Sequence, residues 1–207
     1  MAAAELSFAR VGPALSVRSF RVRERISETF EIEVVARTSD AAVDLGAVLG
    51  QALTLRLNPG WAHTHRGGAR SWTGICRTAA QVEVEPSGLS TYSFVIVPAL
   101  WLLGERRNYR IFQEASVPSI VTALLTEWGV TFEWRISAAD YPVHEYRVQY
   151  GETDLAFLRR LIEEVGIVFS FAEDEGGTKL VLGDAFHRRA PREGGPIPVV
   201  DNPSRAA

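Results

Sequence analysis

VQYGETDLAFLRRLIEEVGIVFSF, residues 148–171, changes its hydrophobic period twice within one short stretch, and that change decides the fold of its half of the chain. Val148 to Tyr150 reads as the end of a strand. Thr153 is a good helix N-cap, and Asp154 places a carboxylate at the positive end of the helix dipole. Leu155, Leu158, Leu161, Ile162 and Val165 then recur at helical spacing and form one apolar stripe. Arg159, Arg160, Glu163 and Glu164 fill the opposite side, which is expected to face water. Gly166 supplies a left-handed residue to stop the helix. From Ile167 the period falls to two, with Ile167, Phe169 and Phe171 on one side of a strand. The stretch is a helix packed on a sheet, and by itself it implies no chemistry.

Outward from this unit, the second half reads as α+β. Ser116 caps a helix over 117–128, with Pro118 in its first turn, where a missing N–H costs nothing. Ile120, Leu124, Leu125 and Trp128 give that helix an apolar side, and Gly129 ends it. Strands are expected over 130–136 and 145–150, a brief extended piece over 111–113, a short apolar turn over 99–104 and a hairpin return over 178–182 across Glu175-Gly176-Gly177. The first half reads as β. Phe30, Ile32 and Val34 alternate with Glu31, Glu33 and Val35 as in a half-buried strand. Residues 15–26 alternate loosely, with Val17, Phe20, Val22 and Ile26 as inward candidates. Asp44 caps one turn through Val48, closed by Gly50, and Leu53, Leu55 and Leu57 resume period two. Asn58-Pro59-Gly60 breaks that strand. Strands over 72–84 and 89–97 flank the turn Pro86-Ser87-Gly88. Short strands with turn signals between them favour a closed or strongly curled antiparallel barrel. The expected division is a β-barrel or β-roll unit over 1–98, a small α+β unit over 99–185, and an extended or disordered arm over 186–207.

With 207 residues, the chain is long enough for a real core, and a hydrophobic share of 46% with 23% charged residues is ordinary for a globular protein. A net charge of −3 offers no electrostatic reason to bind nucleic acid. The one cysteine, Cys76, excludes a disulfide framework. Residues 1–10 lack the basic and apolar regions of a signal peptide, and no apolar run approaches the ~20 residues of a membrane span.

Candidate chemical groups are few. His63 and His65, with Cys76 following, could begin a zinc site, but four ligands at suitable spacing are not visible. Cys76 reads as a buried thiol in a strand. Glu163 and Glu164, like Asp174 and Glu175, are adjacent carboxylates, and neighbours on a helix point about a hundred degrees apart. Ser116 and Ser170 lack a nucleophile elbow, and Gly67-Gly68 and Gly176-Gly177 lack a phosphate-binding pattern. Arg188, Arg189 and Arg192 read as a soluble arm. Trp61, Trp72, Trp101, Trp128 and Trp134 read as core or interface anchors. The expected sets of catalytic, cofactor-binding and metal-ligating residues are therefore all empty.

The exact wording of several segments carries more. Tyr150, Glu152, Thr153, Asp154, Glu163, Glu164, Gly166 and Ile167 follow the pattern V-Q-Y, E-S/T-D, L-L/I-E-E-x-G-I, with Val168 where a tyrosine is common. Residues 110–121, RIFQEASVPSIV, resemble an R-I-F-Q-x-x-S/T-V-P segment. Ser19-Phe20 with residues 25–30, Leu49-Gly50-Gln51 with Leu53 and Leu55, Trp72-Thr73-Gly74-Ile75 and Trp101-Leu102-Leu103 follow in the matching order. Together these segments resemble the N-terminal, phage tail hub-like region of the VgrG family, the spike proteins of type VI secretion. The resemblance implies a tube-like β domain followed by a baseplate-hub domain, a structural and not an enzymatic role, and no cofactor. It also implies a trimer that docks on an Hcp-like inner tube, contact with baseplate proteins and effectors, and export from the bacterial cytoplasm by the contractile machine without a signal peptide. Alternatives are the hub of a phage tail or an extracellular injection particle and, from another class, a cell-wall hydrolase effector. Family members continue into a second tube-like domain, an oligonucleotide/oligosaccharide-binding-type domain and a β-helical needle. With one tube-like domain, this chain is not expected to close the family's pseudo-hexameric ring by itself.

Overall fold

A computed structural model describes residues 4–10, 12–58, 70–85, 88–174 and 176–185. Its first half is one antiparallel sheet built from β1 (Ala4–Phe8), β2 (Ser16–Arg23), β3 (Glu31–Thr38), β4 (Ala52–Leu57), β5 (Arg70–Val84) and β6 (Ser90–Val97), with the one-turn helix α1 (Leu45–Val48) before β4. The strand order is β1-β4-β5-β6-β3-β2. β1 and β2 approach each other across the curl without forming a ladder, so the sheet is a half-barrel and not a closed barrel. Register shifts at Cys76/Thr78 and Gln81/Glu83 in β5 mark bulges, which add local twist and help the sheet curl.

Alternation builds the first core. Phe30, Ile32, Val34 and Ala36 are fully buried against Leu53, Leu55, Trp72, Phe94 and Ile96. Asp44 caps α1 by accepting the Ala47 N–H at 3.0 Å. Two details depart from the sequence expectation. β1 was not anticipated; Ala4 and Leu6 point inward and pair with Leu57 and Leu55, a two-residue alternation too short to stand out. Ile26, expected inward, is 64% exposed because β2 ends at Arg23 and the strand period does not reach it.

The second half contains a 3-10 turn (Ala99–Gly104), β7 (Arg107–Ser116), α2 (Val117–Glu127), β8 (Phe132–Arg135), β9 (Val143–Thr153), α3 (Asp154–Glu164), β10 (Val168–Asp174) and β11 (Gly177–Gly183). α2 and α3 bury Ile120, Leu124, Leu158, Leu161 and Ile162 together with Phe169, Leu180 and Leu182 of a three-stranded sheet ordered β10-β11-β8, in which β8 runs parallel to β11. Phe157, absent from the expected stripe, is fully buried in α3 and stacks on Phe112. The pieces expected at 111–113 and 145–150 are parts of longer strands of ten and eleven residues, β7 and β9, which pair with each other as a separate ribbon. No helix among the described residues is long and apolar enough to cross a membrane.

A turn joins the two cores. Ser27 has a positive φ of 59°, its N–H donates to the Phe169 carbonyl at 2.8 Å, and its Oγ accepts the Phe169 N–H at 3.3 Å. These bonds occupy the edge of β10, which would otherwise be open to water. Arg159, expected on the solvated side of α3, instead donates to the Ser27 carbonyl at 2.7 Å. Phe171 packs against both cores and meets Phe30 edge-on at 5.0 Å. The Ser71 N–H donates to Glu173 and the Thr73 N–H to Thr178 Oγ1 at 2.7 Å, tying β5 to the β10–β11 hairpin.

Gly74 lets β5 and β6 approach closely: a Cβ there would lie 2.4 Å from the Val97 carbonyl oxygen and 2.9 Å from Ile96 Cγ2. Gly74→Ala is therefore expected to destabilise the protein by about 1–3 kcal/mol, the usual cost of overpacking. Urea unfolding checks this as a lower midpoint at unchanged m-value.

Candidate assembly surface

Asp154 is the N1 residue of α3, and Thr153 caps the helix by accepting the Ala156 N–H at 3.1 Å. The sequence places this carboxylate on the helix dipole, and the structure leaves it no solvent exposure at all. Arg106 donates to its Oδ2 from Nε at 2.8 Å, and the guanidinium Nη2 lies 2.6 Å from the same oxygen as an ion pair. Trp128 Nε1 donates to the same oxygen at 2.9 Å, and Arg110 Nη2 reaches it at 3.4 Å. Gln149 Nε2 donates to Oδ1 at 2.8 Å, and the Asp154 N–H donates to the Arg106 carbonyl at 3.0 Å. Arg106 and Arg110 also each hold Glu127 at 2.7 Å. A buried carboxylate is tolerated when its charge is paired and its lone pairs are filled, as here. Burial alone would raise the Asp154 pKa, but hydrogen bonds from Gln149, Trp128 and Arg106 overcome it, and the pKa lies below the ordinary 3.8. Glu127 falls to about 2, chiefly through hydrogen bonds from Arg106 and Arg110.

This cluster ties β7, β9, α2 and α3 together and orients the ribbon above them. In the β7–β9 register Tyr109 faces Tyr150, Ile111 faces Val148 and Gln113 faces Tyr146. Gly151 is the extra residue of a bulge, with φ +64°, and a Cβ there would sit 2.9 Å from the Tyr109 hydroxyl. The inward side chains are Arg110, Phe112, Arg147 and Gln149. On the outward face Tyr150 is 80% exposed, Tyr109 70%, Ile111 68% and Tyr146 61%. Tyr109 and Tyr150 meet edge-to-face at 5.2 Å. Ten large apolar side chains are exposed among the described residues, and six belong to this ribbon, Val143 and Val148 being the others. A solvated sheet face is ordinarily polar, so a concentration of this kind marks a contact surface.

The ribbon is braced from below. Arg147 pairs with Glu164 at 2.8 Å and Arg160 with Glu152 at 2.5 Å. Arg160 also donates to the Val148 carbonyl at 3.1 Å, and Arg107 to the Gly151 carbonyl at 3.0 Å.

The residues singled out in the sequence that the structure describes do not converge. His63, His65, Trp61, Gly67-Gly68, Pro86-Ser87, Glu175 and the arm with Arg188, Arg189 and Arg192 lie outside the described residues. Cys76 is buried and donates to the Thr78 carbonyl at 3.3 Å; burial pushes its pKa up to about 11, so the thiol stays protonated at neutral pH. Ser116 is a helix cap that accepts the Ser119 N–H. Glu164 is held by Arg147, while its neighbour Glu163 is exposed to water. Trp72 donates to Glu24 at 2.9 Å and Trp134 to Thr122 at 2.9 Å, as packing anchors do. No group of three or more His, Cys, Asp or Glu side chains among the described residues could hold a metal ion. Sequence reasoning missed the Asp154 cluster, because its members span positions 106 to 154 and meet only once β7 pairs with β9.

Residues 23–207 match the family of phage tail baseplate hub (GPD) proteins. The chain belongs to that family. Among curated relatives, the type VI secretion system spike protein VgrG5 of Pseudomonas aeruginosa is 37% identical over 173 residues, 81% of this chain and 20% of the relative. The actin cross-linking toxin VgrG1 of Vibrio cholerae is 42% identical over 112 residues, 54% of this chain and 10% of the toxin. The chain thus spans about a fifth of the length of the spike protein it matches. Among solved structures, the E. coli c3393 protein superposes with a TM-score of 0.79 at 27% identity, covering 90% of this chain and 51% of that one. That protein is described as a component of the type VI secretion system with structural similarity to the T4 bacteriophage tail proteins gp27 and gp5. The half-barrel followed by α+β seen in this member is thus the fold of baseplate hubs.

Asp154→Ala, which strands two arginines and a buried indole N–H, is expected to cost about 3–5 kcal/mol in chemical unfolding. Asp154 and Glu127 have folded pKa values below their ordinary 3.8 and 4.5, so their contribution is complete above that range and is lost as the pH falls toward about 2. Unfolding free energy measured from neutral pH into this window should fall, and fall less steeply in Asp154→Asn.

Proposed function

We propose that this chain is a structural hub component of a contractile injection machine, corresponding to the N-terminal part of a VgrG-like spike. The observation that carries this reading is the apolar β7–β9 face, held by a buried ion cluster in a member of the baseplate hub family. Residues 1–98 would form the tube-like unit, 99–185 the hub unit and 186–207 a connecting arm. The work would be mechanical: contraction drives the assembly outward, and the hub keeps its subunits and the inner tube in register. In this reading the partners are further copies of the chain in a trimer, an Hcp-like tube protein, baseplate proteins and carried effectors. The protein is made in the bacterial cytoplasm and leaves through the machine. It has no reaction of its own, in keeping with relatives named as spike proteins. The toxin relative shares only a tenth of its length with this chain, so its named activity is not carried over.

A second reading, the hub of a phage tail or extracellular injection particle, is favoured by the family's own description and by the T4 likeness of the c3393 protein. The hydrolase reading has no such support.

Deleting the gene in its host should abolish release of the inner-tube protein into the medium, and a plasmid copy should restore it. Unchanged release overturns the type VI reading. Loss of tail-particle formation instead identifies the phage-type hub.

A further inference from the structure

We propose that residues 196–200, Pro-Ile-Pro-Val-Val, add to the outer edge of β8 as an antiparallel fourth strand of the β10-β11-β8 sheet, with Ile197 opposite Trp134 and Val199 opposite Phe132. This goes beyond the hub reading and does not depend on it.

The two edges of that sheet differ. The β10 edge is occupied by the Ser27 turn. At the other edge, the Leu180 N–H donates to the Thr131 carbonyl at 3.0 Å, and the parallel register sets Leu180 beside Phe132 and Leu182 beside Trp134. Backbone groups alternate in direction along a strand. The amide and carbonyl of Glu133 therefore turn toward β11, and those of Phe132 and Trp134 turn away from it. Among the described residues, no hydrogen bond reaches those outward groups. An open row of donors and acceptors is a template for another strand.

The side chains say what kind of strand fits. Phe132 and Trp134 are only half-buried and lie on the rim of the α+β core, with Trp134 bonded to Thr122 of α2. Glu133, on the opposite face, pairs with Lys179 at 2.8 Å. The edge thus calls for an extended segment with apolar residues at alternate positions on one face.

Residues 196–200 have this pattern. Ile197 and Val199 fall on one face, and as hydrogen-bonded pairs they stand directly opposite Trp134 and Phe132. Aromatic and β-branched residues paired across strands in this way are favourable. Proline is accepted in a sheet where its missing N–H faces solvent on an edge strand. This register puts both Pro196 and Pro198 in that position, while the N–H groups of Ile197 and Val199 point at β8. The new outer edge lacks two donors, so a further strand would find little to pair with. Alternate prolines also suit a polyproline II helix, but that conformation has no internal hydrogen bonds and would leave β8 bare.

The reach is sufficient. β11 ends at Gly183 beside Arg135, and the Tyr141 hydroxyl holds Asp184 there at 2.9 Å. A fourth strand lies about 10 Å from β11, whereas the chain from Ala185 to Ile197 can span roughly 40 Å. Gly194 and Gly195 permit the reversal.

Hydrogen exchange and an engineered disulfide in the full chain test this. The Phe132 and Trp134 amides should be protected in the wild type. Val199→Pro, which removes an inward N–H, should speed their exchange on the order of tenfold or more, while the Leu180 amide, bonded within the sheet, keeps its protection. Amides at Phe132 and Trp134 that exchange freely in the wild type, or equally in both proteins, overturn the proposal. Glu133 and Pro198 would face each other as a non-hydrogen-bonded pair, where side chains are close. Glu133→Cys with Pro198→Cys should therefore oxidise to a disulfide within one chain, and Glu133→Cys with Val199→Cys, on opposite faces, should not. A disulfide in both pairs, in neither, or between two chains overturns the strand. None of these readouts involves tube release, so their failure leaves the hub reading standing.

Discussion

The carboxylate of Asp154 has no contact with water, and the second half of the molecule is arranged around that constraint. A buried negative charge needs donors on every side, and here they come from elements far apart in the chain: Arg106 before β7, Arg110 within it, Trp128 after α2 and Gln149 on β9. Each donor fixes the position of its own segment. The ribbon has only two strands, and an isolated two-stranded hairpin is marginally stable in water. Its order comes from this charge cluster beneath it and from Phe112 stacked on Phe157.

Much of the fold was legible in the sequence because local signals agreed with one another. Thr153, Asp44 and Ser116 are caps where expected, Gly166 and Gly129 end helices with positive φ, and Phe30, Ile32 and Val34 point inward as their alternation says. The misses share a physical cause. β7 and β9 read as short pieces because their outward residues are more apolar than the inward Arg110, Arg147 and Gln149, so the alternation points to the wrong side as the buried one. Arg159 reads as solvated because helix spacing assigns a face but not what covers it. The Ser27 turn occupies what would otherwise be water beside α3, and the two arginines reach beneath the ribbon to Asp154. Partners from distant segments leave no mark in a local window.

The resemblance to spike proteins was legible for a different reason. Gly74 and the Gln149–Asp154 pair each meet a demand that few residues can satisfy: close strand approach and a neutral donor beside a buried charge. A family signature made of such positions records its scaffold more than any chemistry. That is why the motif identified a lineage without naming a reaction.

The arginines that occupy the Val148 and Gly151 carbonyls bear on how this protein avoids fibres. Exposed valine, isoleucine and tyrosine on paired strands have the composition of an amyloid-prone segment, and growth of such material runs along strand edges through free backbone groups. Here the adhesive side chains stand on the face, and guanidinium groups stopper part of the edge. Adhesion perpendicular to the sheet reaches a finite number of neighbours and stops. Adhesion along the hydrogen-bonding direction has no natural end. By separating the two directions, the ribbon can remain sticky without becoming the seed of a filament.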